Sequence, residues 1–153
     1  MLNVGDTAPD FELASHLGEG KIVKLSELKG ENVMIAFYPL DWSPTCTVQM
    51  PCYEADKEKF EDFDTKVLGV SIDSIPSHIA WSDSFGGINY DLLSDFNPKG
   101  EVARNYGVWR DADGISERAI FLVDKEGKII FSNVYELGTN PDIGEVFEVL
   151  KKM

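Results

Sequence analysis

Of the two cysteines in this 153-residue chain, Cys46 stands where a thiol becomes a nucleophile. It follows Tyr38-Pro39-Leu40-Asp41-Trp42-Ser43-Pro44-Thr45. Ser43 with Pro44 is a helix-start signal, a hydroxyl suited to the N-cap and then proline at the first helical position. Cys46 then falls in the first turn, where unpaired N–H groups and the positive end of the helix dipole favour thiolate over thiol. Such a sulfur can attack an electrophilic atom. Cys52 lies six residues further on, and no Cys-x-x-Cys occurs. His16 and His78 are far apart, with no cysteine at ligand spacing, and read as surface or loop residues without a metal role.

The elements that must position Cys46 follow from hydrophobic pattern. Asn32 to Tyr38 carries the continuous apolar block Val33 to Phe37, the pattern of a buried strand. After the cysteine loop, Thr47 to Phe63 is a long amphipathic stretch, read as helix. Lys66 to Asp73 is a second buried strand, and Pro76 at N1 opens a helix through Phe85 that Gly86-Gly87 stops. Tyr90 to Leu93 reads as a third strand and Gly100 to Tyr106 as a short helix. Near the N-terminus, Phe11 to Leu13 and Ile22 to Leu25 form hairpin grammar around Gly18-Glu19-Gly20, and Ser26 to Leu28 one helical turn. Ala119 to Asp124 and Lys128 to Val134 flank a turn with Gly127. Pro141 to Lys152 closes as a helix capped by Asn140. Strands alternating with helices and then a hairpin give a mixed α/β sheet in a single domain, residues 1–153.

Composition narrows the function classes. Fourteen Lys and Arg against 27 Asp and Glu leave a net charge of −13, which argues against nucleic acid and anionic membrane surfaces. No apolar run approaches the ~20 residues of a membrane helix. Met1-Leu2-Asn3-Val4-Gly5 shows neither a basic nor an apolar leader region, so a cytoplasmic setting is expected.

Pro39-x-x-x-Ser43-x-x-Cys46 resembles the peroxiredoxin signature: proline, three residues, Thr or Ser, two residues, then the peroxidatic cysteine. Gly5-Asp6-Thr7-Ala8-Pro9-Asp10-Phe11, Trp81, Leu92-Leu93-Ser94-Asp95, Tyr106-Gly107-Val108 and Arg118 before Ala119 to Asp124 follow in the family's order. The resemblance covers nearly the whole chain. It implies a thioredoxin fold with peroxiredoxin-type additions. The implied activity is reduction of hydrogen peroxide and organic hydroperoxides through a sulfenic acid at Cys46. The reductant would be thioredoxin-like or a small thiol, a homodimer through the loop side is a family-level expectation, and no cofactor is called for.

That chemistry needs a sulfur held as anion and charge stabilisation on the departing oxygen. Arg118 lies just before a predicted buried strand, where a long cation needs a partner. The resemblance aims it at the peroxidatic sulfur, whereas without it a pair with Glu117 would be expected. Ser43 serves as cap or, by resemblance, as a hydroxyl bonded to thiolate or peroxide. Pro39 shapes the loop and screens the sulfur. The Cys46 N–H is a candidate donor to substrate, whereas Pro44 has none to give. Gln49 reads equally as a bond-maker near the site or a solvent-facing residue.

Cys52 is read two ways, as a buried small hydrophobe or as the thiol that resolves a Cys46 sulfenic acid. Q-type peroxiredoxins place a resolving cysteine four intervening residues along; here five intervene. On an intact helix that is a rise of about 9 Å with side chains about 120° apart, too far for a disulfide. Pro51 lowers the cost of unwinding the segment, or is a fixed kink. Around Trp109 and Arg118 the chain looks more like the AhpE-type, one-cysteine subgroup, and with no cysteine beyond Cys52 the typical two-cysteine arrangement is not expected. The rival readings are a thioredoxin-fold disulfide oxidoreductase, which normally needs Cys-x-x-Cys, and a redox-sensing or holdase partner protein.

Overall fold

The computed structural model describes residues 1–153. In chain order the elements are β1 (Glu12–Ser15), β2 (Ile22–Lys24), a 3-10 turn (Leu25–Leu28) and β3 (Asn32–Phe37). Then come α1 (Pro44–Ala55), α2 (Lys57–Asp62), β4 (Thr65–Ser71), α3 (Ile75–Ser84), β5 (Asp91–Ser94) and α4 (Glu101–Asn105). The chain ends with β6 (Trp109–Arg110), β7 (Ile115–Ser116), β8 (Arg118–Val123), β9 (Ile129–Tyr135) and α5 (Gly144–Lys151). One seven-stranded sheet runs in the order β2-β1-β5-β4-β3-β8-β9, and β6 and β7 pair apart from it.

The sheet is mixed. β3, β4 and β5 are mutually parallel, while β8 and β1 join them antiparallel. All six residues of β3 and all six of β8 are buried, which is why Val33 to Phe37 and Ala119 to Val123 read as unbroken apolar runs. Side chains alternate across a strand. Val33, Ile35 and Phe37 therefore join one core with Ala103 and Tyr106, while Met34, Ala36 and Tyr38 join a second with Cys46, Met50, Trp81 and Phe147. The second core is where α1 lies on the sheet. Gly69 of β4 permits that approach, since a Cβ there would come within 2.7 Å of Met50 Cε and 3.0 Å of Leu92 Cδ2.

Several expectations need correction. The stretch read as one helix is two, parted at Asp56, although hydrogen bonding continues across it from Asp56 to Cys52 and from Phe60 to Asp56, both at 3.1 Å. The last helix starts at Gly144 rather than Pro141: its N-cap position is Ile143, which makes no side-chain cap bond, and the Asp142 side chain takes the Gly144 N–H at 2.9 Å just ahead of it. Ser74 caps α3, one residue before the expected position. The β6–β7 ribbon was not foreseen. His78 is no surface histidine: it is wholly buried. His16 is half-buried, bonded to the Ile88 carbonyl at 3.0 Å and the Leu92 N–H at 3.1 Å.

Candidate active site

Cys46, Gln49, Met50 and Tyr53 are the buried residues of α1. Their spacing of three, four and seven from Cys46 is a single helical face. Pro44 opens the helix, and its first backbone bond runs from the Thr47 N–H to the Ser43 carbonyl at 2.9 Å. The N–H groups of Thr45 and Cys46 are thereby left free of intrahelical partners.

Arg118 reaches this face from the sheet. It is the first residue of β8, whose neighbour Ala119 pairs with Phe37 at the end of β3, so it stands at the edge from which the cysteine loop departs. Arg118 is 1% exposed. Its Nη2 lies 3.2 Å from Cys46 Sγ. Nη2 and Nε donate to the Leu137 carbonyl at 2.9 and 3.1 Å, and Nη1 donates to Gln49 Oε1. Gln49 in turn donates to the Tyr53 hydroxyl at 2.7 Å, and burial pushes that phenol's pKa up.

No carboxylate touches this guanidinium. Glu117, the partner expected in the absence of the resemblance, pairs with Arg110 at 3.1 Å instead. A buried charge needs an opposite charge or full hydrogen bonding. Leu137 and Gln49 are neutral, so Cys46 is the only partner of Arg118 that can become an anion. The sulfur itself has no exposed surface.

The other anticipated residues are placed as follows. Pro39 is buried where the loop leaves β3. Ser43 occupies the N-cap position, yet its side chain makes no cap bond: Oγ donates to the Leu40 carbonyl at 2.9 Å and ties the loop to itself. Cys52 is exposed, a free thiol whose Sγ lies 3.1 Å from the Val48 carbonyl. α1 is continuous between the two cysteines, which holds them about 9 Å apart along its axis. Sequence reasoning left Gln49 undecided and missed Tyr53 and the Leu137 carbonyl. The first two belong to a stripe that the three-four spacing reveals once Cys46 is taken as buried. A cleft of about 430 Å³ lined by Lys57, Thr65 and Asn89 opens at the opposite end of β4 and touches none of these groups.

Comparison with known proteins gives the chain's family. Residues 4–132 match the model of the AhpC/TSA family. A chloroplastic 2-Cys peroxiredoxin of Spinacia oleracea is 36% identical over 98% of this chain, which spans 59% of that protein's length. One of Hordeum vulgare is 35% identical over 98% of the chain and 74% of its own length. Among solved structures, reduced 2-Cys peroxiredoxin of Plasmodium vivax superposes with a TM-score of 0.87 at 29% identity, covering 97% of this chain and 80% of the other. AhpC of Enterococcus faecalis gives 0.87 at 28% identity, covering 99% and 92%. With that match, those relatives and a sheet that superposes on theirs, the chain belongs to the AhpC/TSA family of peroxiredoxins.

Proposed function

We propose that this protein is a thiol-dependent peroxidase in which Cys46 reduces hydrogen peroxide and organic hydroperoxides. The observation that carries the reading is the buried Arg118 guanidinium, without a carboxylate, 3.2 Å from the Cys46 sulfur. The thiolate attacks one peroxide oxygen, an S–O bond forms and the O–O bond breaks. The electron pair leaves with the second oxygen, which departs as water or an alcohol once protonated. Cys46 is oxidised to sulfenic acid. Arg118 and the free N–H of Cys46 stabilise the charge on the oxygens, Gln49 holds Arg118 in place, and Pro39 and Ser43 shape the loop over the sulfur.

An outside reductant, thioredoxin-like or a small thiol, completes the cycle with two thiol groups. One thiol attacks the sulfenic sulfur and expels water, and the second displaces Cys46 as the reductant becomes a disulfide. The sulfur has no exposed surface: small side-chain shifts admit a peroxide, but the start of α1 must open for a bulkier thiol in this step. Cys52 is the alternative resolving thiol and needs the same opening, since the helix holds it too far from Cys46. The reading includes a cytoplasmic setting and a homodimer through the loop side, where Trp42 is 56% exposed and Leu40 37%.

The test is peroxide consumption driven by dithiothreitol. The parent should turn over, Cys46→Ser should not, and Cys52→Ser should retain most of the rate. Full activity in Cys46→Ser would refute the assignment.

A further inference from the structure

Beneath the loop from Pro39 to Ser43 lies a buried polar cluster that the peroxide chemistry does not use. Asp41 is 5% exposed and His78 not at all. Asp41 Oδ1 accepts from the Tyr38 hydroxyl at 2.7 Å. Asp41 Oδ2 accepts from the Ser77 hydroxyl at 2.9 Å and faces His78 Nδ1 at 2.7 Å. His78 Nε2 lies 3.0 Å from the Leu93 carbonyl. A carbonyl can only accept, so Nε2 carries a proton, and a second proton must lie between Nδ1 and Oδ2. Whichever atom holds it, the pair is neutral as a whole, which lets it sit in the core without an unpaired charge.

The cluster grips the loop at its middle. Besides its three side-chain partners, Asp41 donates its backbone N–H to Asp73 Oδ2 at 2.9 Å, and the Tyr38 carbonyl accepts from the Ser116 hydroxyl at 3.1 Å. The residue that follows Asp41 needs that grip. Trp42 has φ 71°, a left-handed backbone that is unfavourable for a residue carrying a side chain. More than half of its surface is exposed, so its own packing does little to hold it there. One residue later Ser43 is the N-cap of α1.

We propose that Asp41 and His78 are a positioning pair for the peroxidase reaction. They fix the loop in the conformation that starts α1 and so hold the Cys46 sulfur on Arg118. The inference rests on the function proposed above. It has a directional consequence, because oxidation needs Cys46 held against Arg118 whereas reduction of the sulfenic acid needs the buried sulfur released. Weakening the pair slows the first step and speeds the second.

Single-turnover experiments on the full chain separate the steps: oxidation of reduced protein by hydrogen peroxide, then reduction of the sulfenic form by dithiothreitol, each read as a rate constant and an amplitude. Asp41→Ala and His78→Ala should slow oxidation by about tenfold or more, as a displaced reacting group does, and should speed reduction. Asp41→Asn, which can still accept from Tyr38 and donate to Nδ1 of a neutral imidazole, should recover most of the oxidation rate. Ser77→Ala removes one bond to the same carboxylate and should shift both rates the same way by less, which keeps the test open if the alanine variants do not fold. Lower amplitudes with unchanged rate constants would mean that the pair only stabilises the fold, and the proposal fails. It fails equally if both steps slow together, or if Asp41→Asn is as slow as Asp41→Ala. A parent protein whose Cys46 takes up no oxygen would instead refute the proposed function.

Discussion

Arg118→Met asks most of the site. Methionine fills much of the arginine's volume in a buried position and removes the charge 3.2 Å from the sulfur. At that distance, with an effective dielectric constant of about 20, the lost attraction for a thiolate is about 5 kcal/mol as an upper bound. Loss of one charge-assisted hydrogen bond, about 1.5–3 kcal/mol, sets the lower bound. At about 1.4 kcal/mol per factor of ten, oxidation of Cys46 at neutral pH should slow by about tenfold at the least and by no more than about four thousandfold.

The assay is single-turnover oxidation by hydrogen peroxide, with the rate constants of parent and variant compared across a pH series. The departing oxygen loses its support at every pH, so the variant should stay below the parent throughout. Arg118→Lys should fall between them, because one ammonium cannot span Leu137, Gln49 and the sulfur as the guanidinium fork does. An Arg118→Met rate within about twofold of the parent at every pH would refute the reasoning, since so small a change corresponds to under ~0.5 kcal/mol.

Other outcomes follow from the same contacts. Gln49→Leu leaves an Arg118 N–H and the Tyr53 hydroxyl without their partner in the core and should lower stability by about 1–3 kcal/mol in urea unfolding. Gly69→Ala drives a Cβ toward Met50 Cε and should cost about 1–3 kcal/mol, with Met50→Ala in the same chain relieving the clash. His16 is held in its neutral form: burial, first of all, lowers its pKa from 6.5. Below about pH 6.5 the unfolded chain therefore takes up a proton that the folded chain refuses, and stability falls as pH drops. Replacing His16 by Gln should flatten the urea midpoint between about pH 7 and pH 5; an unchanged slope would contradict the assignment.

Much of this site was legible in the sequence, and what was not has identifiable causes. The apolar runs of β3, β4 and β8 are buried on both faces, so they declared themselves without any partner in view. Ser43-Pro44 placed the start of α1 correctly, but the use of the Ser43 hydroxyl was not legible, because its Leu40 acceptor lies in an irregular loop. Pattern and spacing could not bring Arg118 to Cys46, 72 residues apart: that contact depends on the register of β8 against β3 and was foreseen only through the family resemblance. His78 was misread because a polar residue's burial depends on distant partners, here Asp41 and the Leu93 carbonyl. Two-residue strands such as β6 and β7 are too short to show a period. At Asn140-Pro141 a plausible cap goes unused, and the helix begins three residues later at Gly144, behind Ile143.

In the proposed reaction Cys46 Sγ is the atom that meets peroxide. Intact mass after one equivalent of hydrogen peroxide tests it directly, on the reduced parent, Cys46→Ser and Cys52→Ser. The parent should gain one oxygen, or lose two hydrogens if Cys52 closes on Cys46; Cys52→Ser should gain one oxygen, and Cys46→Ser should not change. An unmodified parent, or a Cys46→Ser protein oxidised as fast as the parent, would contradict it.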